Sequence, residues 1–302
     1  MPCSLSATLT AACSSGIGKL NNRVGLLKVI AQTFASRLPA NLSSNLSEIL
    51  SRACTSGIGK ENNPLTLLRI IAQNICNQNS GVEPMAFTDL ANTATVSAGS
   101  GTFTTNASYT PDANALALAF VMTTRAALGQ SPPDTVTGNG MTWTLIDSQS
   151  NTSGTRFCVS VWKATSSAPV AGNLTVTMPS ADNTSCILRV VQFTNVDVSS
   201  SGANAIVQSS KNLVTGSNPT ITLTNPINTS GKNAVIGFSG CVGTTYGATA
   251  EAGWNLIFDA GTSDSMAGTG TYQLASVDQS VSLTKAASAR YAFIAMEVKS
   301  KF

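Results

Sequence analysis

Asn114-Ala-Leu-Ala-Leu-Ala-Phe120 is the stretch on which the reading of the fold turns. It is apolar, uncharged and short, and it reads as a buried strand over 115–122. A stretch of the same type returns as Asn233-Ala-Val-Ile-Gly-Phe238. Three further echoes follow in order. Trp143-Thr-Leu-Ile146 matches Trp254-Asn-Leu-Ile257, Val161-Trp162-Lys-Ala164 is echoed more weakly by Tyr272-Gln-Leu-Ala275, and Leu174-Thr-Val176 matches Val281-Ser-Leu283. The offset falls from 119 to 111 for the next two echoes and to 107 for the last, as loop deletions would cause.

Working outward from these motifs, strands are expected over 93–97, 115–122, 142–146, 157–163, 174–178, 186–193 and 205–208. Others are expected over 220–223, 234–240, 254–258, 271–275, 280–284 and 291–298. Gly, Asn, Ser and Pro separate them, and no helical period interrupts them, so residues 86–302 read as an all-β sandwich of jelly-roll type. The echoes suggest a pseudo-duplication of 86–200 in 215–302. Two similar strand sets suit either one two-sheet jelly roll with a contribution from each half or two tandem sandwiches. The interleaved pattern favours one domain.

Upstream the pattern changes. Cys13-Ser-Ser-Gly-Ile-Gly-Lys19 returns 41 residues later as Cys54-Thr-Ser-Gly-Ile-Gly-Lys60, and residues 13–35 match 54–76 at thirteen of twenty-three positions. This is a tandem duplication. Each copy reads as a helical hairpin, 1–40 and 41–79, with Gly16 and Gly57 as C-terminal caps and Asn22 and Asn63 as N-caps. The second helix of each carries an apolar face, Leu26, Leu27 and Ile30 in one copy and Leu67, Leu68 and Ile71 in the other, which is the candidate assembly interface. Residues 80–85 form a linker. The fold class expected for the whole chain is therefore α+β multidomain, helical hairpins followed by a sandwich.

Composition narrows function. Only 10% of the 302 residues are charged, and the net charge of +3 is uneven. Residues 1–80 hold seven basic and two acidic side chains, a balance of +5, and the remainder ten and twelve, a balance of −2. Seven charges so spread are no nucleic-acid footprint. No apolar run reaches membrane-spanning length, and the N-terminus lacks the basic and apolar regions of a signal peptide.

Candidate chemistry is sparse. With no histidine in the chain, Ser-His and Cys-His nucleophiles and the common zinc sites are excluded. The seven cysteines show no C-x-x-C spacing and read as buried thiols. Gly57-Ile-Gly-Lys60 lacks the full phosphate-loop pattern and reads as a turn. Gly237-Phe-Ser-Gly-Cys241 lacks G-x-S-x-G spacing and reads as a strand end. The β-region acids Asp112, Asp134, Asp147, Glu251, Asp259 and Asp264 stand in no recognisable glycosidase or calcium motif. Trp143, Trp162 and Trp254 read as core because two of them recur at equivalent positions. Tyr109 and Tyr246 read as exposed contacts. No catalytic, cofactor-binding or metal-binding residue is expected.

The SGIGK-x-x-N-[RP]-x-x-LL-x-x-IAQ wording resembles a short module of tailed-bacteriophage virion proteins. The Trp-x-Leu-Ile and Val-Trp-Lys-Ala wording is similar to jelly-roll domains of phage fibres and capsid decorations, and also to some bacterial surface domains. Together the two resemblances cover nearly all the chain. They imply a non-enzymatic virion protein, assembled in the host cytoplasm, whose N-terminal module anchors to capsid or tail while the β domain is displayed as capsid decoration, head fibre or tail fibre. The implied partners are other virion proteins, sister copies (a trimer among the options) and a host glycan, with no nucleic acid and no membrane. The alternative is a carbohydrate-binding receptor-recognition protein or polysaccharide-degrading surface enzyme.

Overall fold

The computed structural model describes residues 84–302, except 126–130, 153, 155, 180–182, 231, 244–246, 264–265, 277 and 302. The first half contains strands β1 (Ala86–Ser100), β2 (Thr102–Thr104), β3 (Leu116–Arg125), β4 (Thr135–Gly138) and β5 (Met141–Thr142). It continues with β6 (Thr144–Asn151), β7 (Phe157–Thr165), β8 (Thr175–Thr177) and β9 (Asn183–Thr194). After a 3-10 turn (Ser200–Ala205) come β10 (Ile206–Gly216), β11 (Thr220–Thr222), β12 (Ala234–Val242) and β13 (Ala248–Ala250). The last strands are β14 (Asn255–Gly261), β15 (Met266–Gln273), β16 (Ser280–Lys285) and β17 (Ala289–Val298).

This corrects the α+β class. Strand makes up 62% of what is described, the only helical element is the short 3-10 turn, and the architecture is all-β. Period-two and continuous apolar runs from residue 86 onward build antiparallel ladders because neither pattern can present a helical stripe. The helical class rested on 1–79, and both hairpins lie outside the described residues.

Each half completes its own pair of sheets. In the first, β1-β9-β3-β7-β6 faces β2-β8-β4-β5; in the second, β10-β17-β12-β15-β14 faces β11-β16-β13. The orders correspond strand for strand when β1 is matched to β10, β3 to β12, β7 to β15 and β9 to β17. The four sequence echoes fall on the matched strands. So does a backbone irregularity: the ladder slips one residue between Leu145 and Asp147 on β6, and between Leu256 and Phe258 on β14. A bulge retained at the same place after the same tryptophan marks the halves as two copies of one design.

The two five-stranded sheets pack face to face, giving four layers and three cores. On β3, Leu116, Leu118, Phe120 and Met122 enter the central core between the halves. The intervening Ala117, Ala119 and Val121 enter the core of the first sandwich. On β17, Ala292, Ile294, Met296 and Val298 face the centre, and Phe293 and Ala295 face the second sandwich. Both faces of these strands are dry, so their sequences read as unbroken apolar runs without alternation.

Phe120 and Phe238, the residues that close the same motif in each half, stack on each other at 5.2 Å. A residue meeting its own counterpart is the mark of a two-fold interface, here within one chain. Glycines let the sheets approach: a Cβ on Gly240 would lie 2.4 Å from Met122 Sδ and 2.8 Å from Val159 Cγ2. Across the rim, Phe87 stacks on Tyr272 at 4.0 Å, and Lys211 pairs with Asp147 at 2.7 Å.

The connection between halves is clamped from both sides. Lys163 Nζ donates to the Gly202 carbonyl at 3.0 Å, while the amides of Lys299 and Lys301 donate to the Ala205 and Asn195 carbonyls. The Lys299 ammonium lies 2.6 Å from Asp197 and, with Ser199, draws that carboxyl down to about 2.

Candidate functional site

Buried polar residues gather in more than one place: Glu297, 1% exposed, accepts from Gln208, Asn228 and Asn233, while the group that holds a buried cation lies near one end of the second sandwich. Strand β16 sends Val281, Leu283 and Lys285 inward in alternation. In the first half Val176 pairs with Phe103 as Val281 pairs with Ile221, and the Met178 and Leu283 amides donate to the Gly101 and Pro219 carbonyls, so Met178 stands in the place of Leu283. Lys285 carries the inward series one step beyond Leu283, and it is 9% exposed.

Opposite Lys285, the facing sheet presents a cross-strand row. Ser239 on β12 pairs with Thr269 on β15, which pairs in turn with Asp259 on β14. Residues directly opposite in a ladder share one face, so the three side chains form a polar line. Lys285 Nζ donates to Thr269 Oγ1 from the other sheet, and Thr269 Oγ1 donates to Asp259 Oδ1 at 2.7 Å. Asp259 Oδ2 accepts the amides of Gly247 at 2.6 Å and Ala248 at 3.0 Å. The carboxylate thus joins the buried amine to the start of β13. The Tyr291 ring lies 5.4 Å from the lysine nitrogen, and its hydroxyl donates to the Ala287 carbonyl at 2.7 Å.

Burial pushes the Lys285 amine down to about 8; the fields of Asp259 and Cys241 oppose that shift. Near neutrality the group therefore has both protonation states within reach, as a surface lysine does not. Ser239 is fully buried and its hydroxyl has no hydrogen-bond partner. In the first half the residue following the matched phenylalanine is Val121, and its cross-strand neighbour on β7 is Ser160. The first-half row continues to Ser148 on β6, so it is polar at two of its three positions and carries no charge.

The residues singled out from sequence fall elsewhere. Leu26, Leu27, Ile30, Leu67, Leu68 and Ile71 lie outside the described residues, as do Tyr246 and Asp264. Trp143 and Trp162 are buried in the first sandwich core and Trp254 in the second. Tyr109, expected at the surface, is 8% exposed, and burial raises its phenol well above the ordinary range. It was misread because its polar, Gly/Thr-rich neighbours say nothing about the layer above it. Gly237-Phe-Ser-Gly-Cys241 lies within β12 and is not its end.

Asp112 bonds Gln192, Asp147 bonds Lys211 and Ser209, and Asp259 belongs to the polar line. Among the described residues no three Cys, Asp or Glu side chains gather as metal ligands. Cys158, Cys186 and Cys241 are buried. Sequence reasoning missed Lys285, Thr269 and Ser239. The available signal was a lysine ending an inward series, Val281-x-Leu283-x-Lys285.

No family model, no curated protein and no solved structure matches the chain.

Proposed function

We propose that this chain is a non-enzymatic structural protein of a tailed-bacteriophage particle, displayed on its surface as capsid decoration or as part of a fibre. The duplicated segment at 1–79 is the attachment region, and Leu26, Leu27, Ile30, Leu67, Leu68 and Ile71 are its candidate contacts with capsid or tail proteins and with sister copies. The β region is read as two jelly-roll-like sandwiches in tandem, since each half alternates its strands between two sheets in the jelly-roll manner.

The observation that carries this reading is the shared central core. Two copies of one sandwich are fused through their larger sheets into a thick body whose buried polar side chains are largely engaged with one another. Such a body suits rigid display better than turnover, because a catalytic site needs reactive groups that converge on an accessible cleft. The wording shared with phage virion proteins points the same way. A glycan-binding role draws less support, since sugar stacking uses exposed rings and Trp143, Trp162, Trp254 and Tyr109 are all buried.

A mass-spectrometric inventory of purified particles tests the proposal. The chain is expected in every particle, in hundreds of copies for a decoration and a few tens or fewer for a fibre, and deletion of residues 1–80 is expected to abolish incorporation. Absence from particles, or depolymerisation of a capsular polysaccharide that one Asp or Glu substitution removes, would overturn it.

A further inference from the structure

The Lys285 cluster leaves hydrogen-bond donors open. The Asp259 carboxylate already takes three donors, the Thr269 hydroxyl and the Gly247 and Ala248 amides. Thr269 Oγ1 accepts one N–H of Lys285. Two N–H groups of the ammonium and the buried hydroxyl of Ser239 remain without an acceptor among the described residues. None of the ion pairs among those residues includes Lys285. Buried donors left open and a buried charge without a direct partner are both costly arrangements.

The fold itself does not demand them. The first half closes the same interior with Val121 in the place of Ser239. A buried hydroxyl without a partner where the design offers an apolar alternative points to a role beyond packing.

We propose that Ser239 Oγ and Lys285 Nζ together bind a small monovalent anion of halide size inside the second sandwich. A water molecule could satisfy the hydroxyl but would leave the ammonium with only the field of Asp259 across Thr269. That same carboxylate disfavours a dianion, and so few donors suit a compact sphere better than a polyatomic group. The groups that face the amine are Asp259 and Thr269 from β14 and β15, Ser239 and Cys241 from β12, and the Tyr291 ring from β17. Tyr291 offers only its face, which adds to the positive character of the site no donor of its own.

The test is the melting temperature of the full chain at pH 7 in sodium chloride and sodium bromide against sodium gluconate of equal ionic strength. A saturable halide increment is expected, about 3 °C at tenfold excess over the dissociation constant. Lys285→Met and Ser239→Ala should each abolish it, and it should fade above pH 8 as the amine loses its proton. Bromide soaked into crystals should give an anomalous peak between the two side chains. Equal melting in halide and gluconate would overturn the proposal and leave water as the occupant. An increment that persists in Ser239→Ala and rises without saturation would also overturn it, as a general salt effect. Should Lys285→Met fail to fold, Ser239→Ala decides alone.

Discussion

At the residue scale, the chain spends stability on Lys285. An amine whose folded value is about 8 against an ordinary 10.5 is disfavoured as a cation by its burial. The sign follows from proton counting. Between pH 8 and 10.5 the unfolded chain holds a proton that the folded chain has released, so stability from this group rises with pH across that window and its cost is fully present below it. Lys285→Met replaces the buried cation with an apolar side chain of similar length. It is expected to stabilise the protein at pH 7 by up to about 3 kcal/mol and to remove the rise between pH 8 and 10, measured as the difference from wild type in urea unfolding. Equal slopes in the two proteins would refute the assignment. Asn139 contributes in the opposite sense. Its φ of 57° lies in the left-handed region, and its amide donates to the carbonyls of Tyr109 at 2.9 Å, Gly172 at 3.1 Å and Val170 at 3.3 Å. Asn139→Ala loses the tethers and keeps the backbone strain, whereas Asn139→Gly loses only the tethers. The alanine variant should be less stable than the glycine variant by about 1 kcal/mol in the same assay.

At the element scale, the informative feature is how little the central strands alternate. β3, β12 and β17 carry apolar side chains on both faces because each lies between two cores. The difference between the faces is one of size. β3 turns Leu116, Leu118 and Phe120 toward the partner half and Ala117 and Ala119 toward its own second sheet, and β12 leaves Gly240 at the closest approach to Met122 and Val159. Gly240→Val would drive a branched side chain into that approach. It is expected to destabilise the fold by about 2–3 kcal/mol, seen as a lower urea midpoint with an unchanged slope. Val→Ala at the exposed Val170 serves as a control expected to change little, since that side chain is 54% exposed. The positions of β3, β7, β12 and β17 could be read from the sequence because long apolar runs bounded by turn residues have few other solutions. The short outer strands β2, β5 and β13 carry two or three residues each, too few to establish a period, and only their pairing reveals them, whereas β11 falls on the strand expected over 220–223.

At the scale of the whole molecule, the central core couples the halves. It draws Phe120 and Met122 from one and Phe238 and Ile294 from the other, so opening either half exposes the interior of both. The β region is therefore expected to unfold in one cooperative step. Trp143 and Trp162 report on the first sandwich and Trp254 on the second. Fluorescence of a Trp254→Phe variant and of a variant with Trp143 and Trp162 replaced by phenylalanine should give transitions at the same urea concentration, after correction for each variant's own stability. Two separated transitions would show that the halves fold independently. The sequence alone established that the β region repeats itself, that most of its tryptophans recur as core, and that histidine chemistry is absent, because periodicity, identity and composition are local or countable properties. It favoured one domain for the two strand sets, whereas each set pairs into its own two sheets, since strand pairing depends on contacts up to about a hundred residues apart. It likewise could not mark Ser239, Thr269, Asp259 and Lys285 as neighbours. They come from four different strands, and only the ladder register and the facing of two sheets bring a lysine at the end of β16 onto the middle of a row that crosses β12, β15 and β14.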